Sequence, residues 1–360
     1  MIGQQQKRKI TPNTVSFNSY LLEFNNLNKN LIPTDSMLTL LSVFYYFKPL
    51  NSAALAAVHF ETFSMYPLNY IEPVFRPPSE WKSLILQVTN GCSWNKCTFC
   101  DMYTNDNKKF KPKKPELIEQ ELLTIVASKL PVGRVFLADG DAMMLPFNRL
   151  KEILLLIKKH LPQVTRVSSY CLPRNLGNKT VEQLAELKTL GLTLMYIGCE
   201  SGDDEVLALI EKGESYQSSL TALNKIKQAG IKSSVMILNG LGGPELSQQH
   251  AINSAKLMNA AQPDFLSTLV VSFPLGEARF AKNFNGRFRQ LNQQELFQEM
   301  ATLLITLNLD KTIFRSDHAS NYLVLKGVLG KDKQVLLDKV NMAITQPQTI
   351  ALRQEWQRGL

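Results

Sequence analysis

Hydrophobic and polar positions alternate in a regular order along residues 84–271 of the chain. Short apolar runs, typical of buried strands, are each followed by a longer stretch with the apolar spacing of an amphipathic helix. The predicted strands are residues 84–88, 134–138, 166–170, 194–198, 232–238 and 265–271. The predicted helices are residues 115–129, 146–160, 180–190, 203–211, 217–229 and 247–260. Repeated strand–helix units predict an α/β fold built on a parallel sheet.

A polar motif follows the carboxyl end of each predicted strand. These motifs are residues 89–103, 139–141, 171–175, 200–202, 239–245 and 272–277. Parallel α/β barrels build their sites at that end of the strands, so the motifs are expected to share one face of the sheet. Six units are too few to close an eight-stranded barrel.

Three cysteines, Cys92, Cys97 and Cys100, fall within nine residues just after the first predicted strand. The chain has only five cysteines, and Cys171 and Cys199 are far away in sequence, so this density indicates a metal rather than a disulfide knot. A zinc site usually takes four protein ligands, and no fourth Cys or His is near. Three thiolates suit a cubane iron–sulfur cluster whose fourth iron is open to a chelating ligand. Zinc and plain core cysteines are the alternatives.

The cysteine loop resembles that of the radical S-adenosylmethionine (SAM) superfamily. The usual pattern there is Cys-x3-Cys-x2-Cys with an aromatic residue before the third cysteine, here Phe99. The first gap of this chain, residues 93–96, holds four residues instead of three. The resemblance covers about residues 74–330. Within the superfamily, the chain most resembles poorly characterised proteins of the group that includes the Elongator catalytic subunit, methylthiotransferases and nitrogenase-cofactor enzymes.

This resemblance implies a fold, two cofactors and a reaction. The fold is a partial (β/α)6 barrel of parallel strands, and the cofactors are a [4Fe–4S] cluster and SAM. The reaction is reductive cleavage of SAM to a 5′-deoxyadenosyl radical, which abstracts hydrogen from a substrate that the sequence does not identify. A low-potential electron donor such as flavodoxin or ferredoxin is the implied partner. The alternative function is that of a non-catalytic iron–sulfur protein, acting in electron transfer or holding metal structurally.

The resemblance also implies roles for individual residues. Cys92, Cys97 and Cys100 are the expected cluster ligands, and Phe99 is expected near the adenine. The residues expected to hold the rest of SAM are Asp139, Gly140 and Asp141 for the methionyl ammonium, Arg174 for the carboxylate, Glu200 for the ribose, and Gly240 and Gly242 along the adenine. The competing interpretations are loop packing for Phe99, a helix cap for the turn at 139–141, and structural ion pairs for Arg174 and Glu200. Cys171 and Cys199 are expected to be small core residues, and auxiliary ligands are the alternative.

Charge and hydropathy restrict the partners and the location. The formal net charge is +9, partly concentrated in residues 108–114. A solvated loop is the favoured interpretation of that basic run, and a patch for an anionic partner such as an acidic electron donor, a phosphorylated substrate or RNA is the alternative; no RNA-binding signature accompanies it. No apolar run approaches the ~20 residues of a membrane span, and clustered free thiols predict a reducing cytoplasm.

Three regions are predicted along the chain. Residues 1–64 are a leader of uncertain status, either disordered, a product of a mis-assigned start, or a small helical cap, and residues 65–280 are the barrel core. Residues 281–360 are a mainly helical extension with helices at 293–307 and 333–344. The segment 312–322 between them is predicted as a capped turn. If it folds over the open side of the barrel instead, Arg315 and His318 are candidates for substrate contact.

Overall fold

The computed structural model describes residues 66–358, so the predicted leader lies outside the described residues. The strands are β1 Leu84–Gln87, β2 Thr89–Asn90, β3 Lys111–Pro112, β4 Arg134–Ala138, β5 Arg166–Cys171, β6 Leu192–Glu200, β7 Lys232–Asn239, β8 Phe265–Val270, β9 Ile313–Ser316 and β10 Leu325–Val328. The helices are α1 Pro115–Ser128, α2 Phe147–His160, α3 Val181–Thr189, α4 Asp204–Leu209, α5 Tyr216–Gln228, α6 Gly243–Ala261, α7 Ala278–Ala281, α8 Gln293–Thr306 and α9 Leu329–Thr345. Short 3-10 turns stand at Pro78–Glu80, Asp106–Lys108, Ala142–Met144, Pro173–Leu176, Lys282–Phe284, Pro347–Thr349 and Glu355–Gln357.

Within residues 66–358, eight strands form one sheet in the order β1-β4-β5-β6-β7-β8-β9-β10. Each neighbouring pair from β1 to β9 is parallel, and β10 closes the edge antiparallel to β9. Strands β2 and β3 form a separate small ribbon beside the cysteine loop. The carboxyl ends of the parallel strands therefore meet on one face, as the motif positions predicted.

Local sequence signals account for where the helices begin. Helix α3 starts at a capping box in which Thr180 and Gln183 exchange hydrogen bonds, and α8 starts at an equivalent pair, Asn292 and Glu295. Each box satisfies backbone N–H groups that have no partner inside the helix. Helix α1 begins at Pro115, whose missing N–H costs nothing at the first helical position.

The two faces of the sheet carry different side chains. In β7 the buried residues Val235 and Ile237 pack with the helices in the main apolar core, while Ser234, Met236 and Leu238 between them are half-buried on the opposite, inner face. Such alternation follows from the two-residue period of a strand. The helices thus form an outer layer, and the inner face lines the interior of an open barrel.

The predicted α/β fold with a parallel partial barrel and a helical C-terminal region is confirmed. All six predicted strands are present, with their ends shifted by two residues at most. The structure adds β9 and β10 within the C-terminal region, where a capped turn was predicted over part of that segment. Each has only four residues, and such a short strand is difficult to distinguish from a turn by its sequence pattern. Among the described residues, no helix is both long and apolar enough to cross a membrane.

Candidate functional site

The three cysteines lie in the loop that follows β1 and β2, at the carboxyl end of the sheet. All three side chains are partly buried, and burial raises the pKa of each thiol, that of Cys97 to about 11. Backbone N–H groups act in the opposite direction: those of Asn95 and Trp94 donate toward the Cys92 sulfur, and that of Met102 donates toward Cys100. Amide donors directed at sulfur stabilise thiolates, which is the form that binds metal.

The three sulfur atoms are close enough to influence one another's ionisation. Negative charge on Cys92 and on Cys100 raises the pKa of Cys97. Within residues 66–358, no three Cys, His, Asp or Glu side chains converge tightly enough to hold a single metal ion. A cubane cluster needs a different arrangement, because each thiolate binds a different iron. The donor set therefore fits such a cluster.

Contacts with distant segments hold the loop in place. The Trp94 indole N–H donates to the Glu211 carbonyl at 2.8 Å, and the Thr98 N–H donates to the Ile210 carbonyl at 3.0 Å. The wide first gap turns at Asn95, whose φ of 43° lies in the left-handed region that Asn tolerates better than most residues. On the other side, Arg279 donates to the Cys100 carbonyl at 2.6 Å.

Asp139 is part of a buried network behind the cysteine loop. The Lys108 ammonium lies 2.6 Å from Asp139 Oδ2, and both side chains are fully buried. The Tyr103 hydroxyl donates to Asp139 Oδ1 at 2.9 Å. Both carboxylate oxygens of Asp139 are therefore engaged by the protein. Lys108 is an exception to the predicted solvated basic run, in which Lys109, Lys111 and Lys114 are indeed exposed.

Gly140 brings the turn at 139–141 directly against the cysteine loop. Its φ is +69°, and a Cβ placed there would lie 2.5 Å from the Gly91 carbonyl oxygen. Only glycine combines that backbone conformation with so close an approach. The turn and the residue before Cys92 consequently pack as one unit.

Asp141 contacts the cysteine loop, and its two carboxylate oxygens differ in their hydrogen bonding. Its Oδ2 accepts hydrogen bonds from the Ser93 N–H, at 3.3 Å, and from the Ser93 hydroxyl. Its buried Oδ1 has no hydrogen-bond partner among the described residues. Burial raises the pKa of Asp141, while the hydrogen bonds from Ser93 and the nearby amide of Asn175 oppose that rise. A buried carboxylate oxygen without a donor indicates a place for an absent donor.

Glu200 and Lys212 form a buried ion pair near the thiols. The Lys212 ammonium lies 3.0 Å from Glu200 Oε1, and it stands 5.8 Å from the centre of the Phe99 ring. Burial alone would lower the pKa of Lys212, but the charges of Glu200 and Cys97 raise it instead. Glu200 ends β6 at a bulge and has a φ of 63°, a strained conformation of the kind that gathers at functional sites.

Arg174 is already engaged by protein groups. Its Nε donates to Glu214 Oε1 at 2.8 Å, and its guanidinium stacks 3.7 Å from the centre of the Trp94 ring. Further donors point to the carbonyls of Lys212 and Gly213. Arg174 thus links the cysteine loop to the segment that carries Lys212.

The glycine segment after β7 approaches the cysteine loop through apolar packing. The Gly240 N–H donates to the buried Glu299 carboxylate at 2.7 Å, and Gly242 is tightly packed against the first turn of α6. Between them, Leu241 belongs to an apolar cluster against which Phe99 packs. Phe99, Gly240 and Gly242 are therefore brought to the same end of the barrel.

The four other residues singled out from the sequence have different surroundings. Cys171 and Cys199 are buried in the main apolar core, as predicted. Arg315 stands exposed on β9, and the His318 ring accepts a hydrogen bond from the Ser320 N–H at 3.2 Å. Sequence reasoning assigned no role to Ser93 and Trp94, which lie in the first gap of the cysteine loop, or to Lys212, which belongs to no recognisable motif. The spacing between Glu200 and Lys212, across the short helix α4, becomes meaningful only once the fold brings their side chains together.

Parts of the chain are similar in sequence to known proteins. Residues 86–258 match the sequence profile of the Radical SAM superfamily. The heme chaperone HemW of Bacillus subtilis is 24% identical over 183 residues, 48% of this chain and 47% of that protein. A putative methylthiotransferase of Methanocaldococcus jannaschii is 22% identical over 296 residues, 75% of this chain and 65% of that protein. The chain thus spans about half the length of the HemW proteins that it matches.

Two solved structures align with part of this chain. Coproporphyrinogen III oxidase (HemN) from Escherichia coli aligns with a TM-score of 0.48 and 17% identity, over 62% of this chain and 52% of that one. Methylornithine synthase (PylB) aligns with a TM-score of 0.42 and 18% identity, over 63% of each chain.

Proposed function

Because residues 86–258 form a radical SAM domain and the chain belongs to that superfamily, we propose that it is an enzyme that generates a 5′-deoxyadenosyl radical from SAM. Its cofactors are a [4Fe–4S] cluster and SAM. When bound, the cluster supplies the electron that cleaves the SAM sulfonium. The observation that carries the proposal is the convergence of three cysteine thiols, the Glu200–Lys212 pair and Asp141 at the carboxyl end of one sheet.

Each part of SAM finds a side chain of suitable charge in this arrangement. Asp141 offers its unpartnered Oδ1 to the methionyl ammonium, since the carboxylate of Asp139 is committed to Lys108 and Tyr103. Lys212, a buried cation beside the thiols, is the group that we assign to the methionyl carboxylate. Arg174 supports it by holding the adjacent backbone carbonyls of Lys212 and Gly213.

The remaining residues act on the nucleoside and exclude water. Glu200 presents a carboxylate to the ribose hydroxyls, which are hydrogen-bond donors. Phe99 and the Gly240–Gly242 segment border the adenine, where Leu241 and its apolar neighbours keep the space dry. A dry site strengthens each of the charged contacts named above.

We assign a reductant to a groove beside the cysteine loop. There Trp94 and Lys96 line an open groove of about 590 Å³ together with residues of α4 and the segment that follows it. We propose that a low-potential donor such as flavodoxin or ferredoxin delivers its electron from this side.

The test is an anaerobic assay of 5′-deoxyadenosine with dithionite, paired with a SAM titration followed by electron paramagnetic resonance. The reconstituted protein should form 5′-deoxyadenosine and methionine, and Cys92→Ala, Cys97→Ala or Cys100→Ala should abolish cluster absorbance. Asp141→Asn and Lys212→Met should keep the cluster while weakening SAM binding, by about 10- to 100-fold for the loss of one charge-assisted hydrogen bond. Lys111→Met, at an exposed lysine, is the matched control.

Two results would support a different function. A reduced cluster whose spectrum ignores SAM, with no 5′-deoxyadenosine formed, would favour a non-catalytic iron–sulfur protein. Relatives named heme chaperones also favour testing a carrier role. Stoichiometric heme binding, seen as a Soret band in the absence of SAM cleavage, would support that role instead.

A further inference from the structure

The interior of the barrel is filled on one side and open on the other. Between β1 and β6, the inner side chains Ile85, Phe136 and Tyr196 form an apolar cluster, against which Tyr70 and Val74 pack from the preceding segment and Phe265 packs from the start of β8. On the inner face of β7, β8 and β9, Met236, Leu269 and Ile313 are half-buried and belong to none of the apolar clusters formed by the described residues. The apolar wall of this second half, called here the open half, therefore keeps part of its surface exposed.

Strand register shows what the open half presents. One row of directly paired residues crosses the inner face, and its members are Gly198 of β6, Met236 of β7, Ser267 of β8, Arg315 of β9 and Lys326 of β10. Neighbouring strands lie about 4.8 Å apart, so the row runs for roughly 14 Å from Gly198 to Arg315. Its first member lies two residues before Glu200, beside the proposed SAM site. Its last two members are cations.

Arg315 is the distinctive residue of this row. No carboxylate lies within ion-pair distance of it among residues 66–358, and its one hydrogen bond with a described partner goes to the Phe314 carbonyl at 3.0 Å. Directly opposite stands Lys326, which is itself paired with Asp317 at 3.0 Å. Like charges facing each other across a strand pair destabilise a sheet. An unpaired guanidinium in that position, at the end of an apolar wall, has the charge and shape to receive an oxyanion.

We infer that the open half of the barrel binds an elongated molecule that has an apolar body and a terminal oxyanion, a carboxylate or a phosphate. The inference rests on the proposed function, for which this molecule is the substrate class. The oxyanion binds Arg315, whose planar donor pair matches a carboxylate or phosphate, with Lys326 beside it. The apolar body lies on Met236, Leu269 and Ile313, and its far end points toward Gly198, where the Glu200 carboxylate occupies the place of a side chain.

Binding of three ten-carbon probes to the reconstituted holoprotein tests this inference. Isothermal titration with decanoate, decyl phosphate and the neutral decanol separates the contribution of the anion from that of the chain. Decanoate or decyl phosphate should bind more tightly than decanol, and whichever binds more tightly identifies the oxyanion. Arg315→Gln should weaken the anionic probe by about 10- to 100-fold and leave decanol unchanged.

Two further variants complete the design. Lys331→Gln removes one positive charge from the exposed surface of α9 and should leave all three probes unaffected. Ser267→Trp fills the open half and should reduce binding of every probe, and melting temperatures verify that each variant is folded. Equal binding of decanol and the anions, an Arg315→Gln variant that binds like the unchanged protein, or the absence of any binding would overturn the inference.

Measurements on the same samples distinguish failure of the inferred oxyanion site from failure of the proposed function. Iron content and the SAM-dependent resonance spectrum are measured before each titration. An intact cluster that responds to SAM, combined with probe binding that ignores Arg315, removes the substrate class alone. Binding that depends on Arg315 in a protein that neither holds a cluster nor cleaves SAM supports the oxyanion site and removes the enzymatic proposal.

Discussion

Replacing Lys108 by methionine is expected to be far more damaging than replacing its neighbour, Lys109. The Lys108 ammonium is fully buried and donates to Asp139 Oδ2 at 2.6 Å, to the Ile71 carbonyl at 2.5 Å and to Asn90 Oδ1 at 3.3 Å. These contacts use all three of its donors. The side chain of Lys109 is exposed, so Lys109→Met is the matched control.

The expected loss of folding stability follows from the negative charge that Lys108→Met leaves unpaired. Removing one partner of a buried ion pair costs about 3–5 kcal/mol, because the other charge stays buried without compensation. Here that charge is Asp139, which is fully buried. Since one kcal/mol shifts the melting temperature of a domain of this size by about 2–3 °C, Lys108→Met is expected to melt roughly 10 °C lower. The double variant Lys108→Met/Asp139→Asn should recover most of the loss, because no charge is left unpaired.

The deficit should also depend on pH in a definite direction. Burial raises the pKa of Asp139 even in the intact protein, where Lys108 opposes the rise, so removing Lys108 raises it further. A carboxyl whose pKa is higher in the folded than in the unfolded state destabilises the fold increasingly as pH rises above its unfolded value. The difference in melting temperature between Lys108→Met and the unchanged protein should therefore be smaller at pH 5 than at pH 8.

Differential scanning fluorimetry of the apoprotein measures these effects, and iron content after reconstitution reports on the cysteine loop. Similar melting temperatures for Lys108→Met and Lys109→Met would refute the reasoning, as would a double variant no more stable than the single one. A deficit that grows toward acidic pH would contradict the assignment of the buried charge to Asp139.

Two other predictions concern the cysteine loop. Gly140→Ala should lower both the melting temperature and the iron content, because its Cβ would meet the Gly91 carbonyl; Gly286→Ala, where φ is +77° and no atom lies within 4 Å, should cost only the backbone strain of about 1–2 kcal/mol and retain full iron. Cluster uptake by the apoprotein should release about three protons and strengthen as pH rises, since burial raises the pKa of the three thiols and metal binds thiolates. Titration in buffers of different ionisation enthalpy measures that release, and uptake that is independent of pH would contradict it.

The sequence predicted the six central strands of the sheet but not strand β9 near its edge. Each of the six central strands lies between longer helical patterns, so its apolar run was unambiguous. Strand β9 has the pattern Ile-Phe-Arg-Ser, in which only Phe314 and Ser316 are buried. That short alternation is compatible with a turn as well as with a strand. The segment forms a strand because it pairs with the edge of β8. The sequence pattern within the segment does not indicate that pairing partner.

In the candidate site, the residues of a single loop could likewise be predicted from the sequence, whereas contacts between distant segments could not. The three cysteines, which we propose as the cluster ligands, could be found from sequence because they lie in a single loop. Their neighbours could not, because each depends on a contact between distant segments. In the sequence, Asp139 has the appearance of a free hydrogen-bond acceptor. In the fold, the segment between β2 and β3 brings Lys108, 31 residues away in sequence, into contact with it. Lys212 looks like a surface lysine until the short helix α4 returns it to Glu200. Spacing within a motif predicts which side chains bind iron, whereas the charged groups around those side chains depend on which segments the fold brings together.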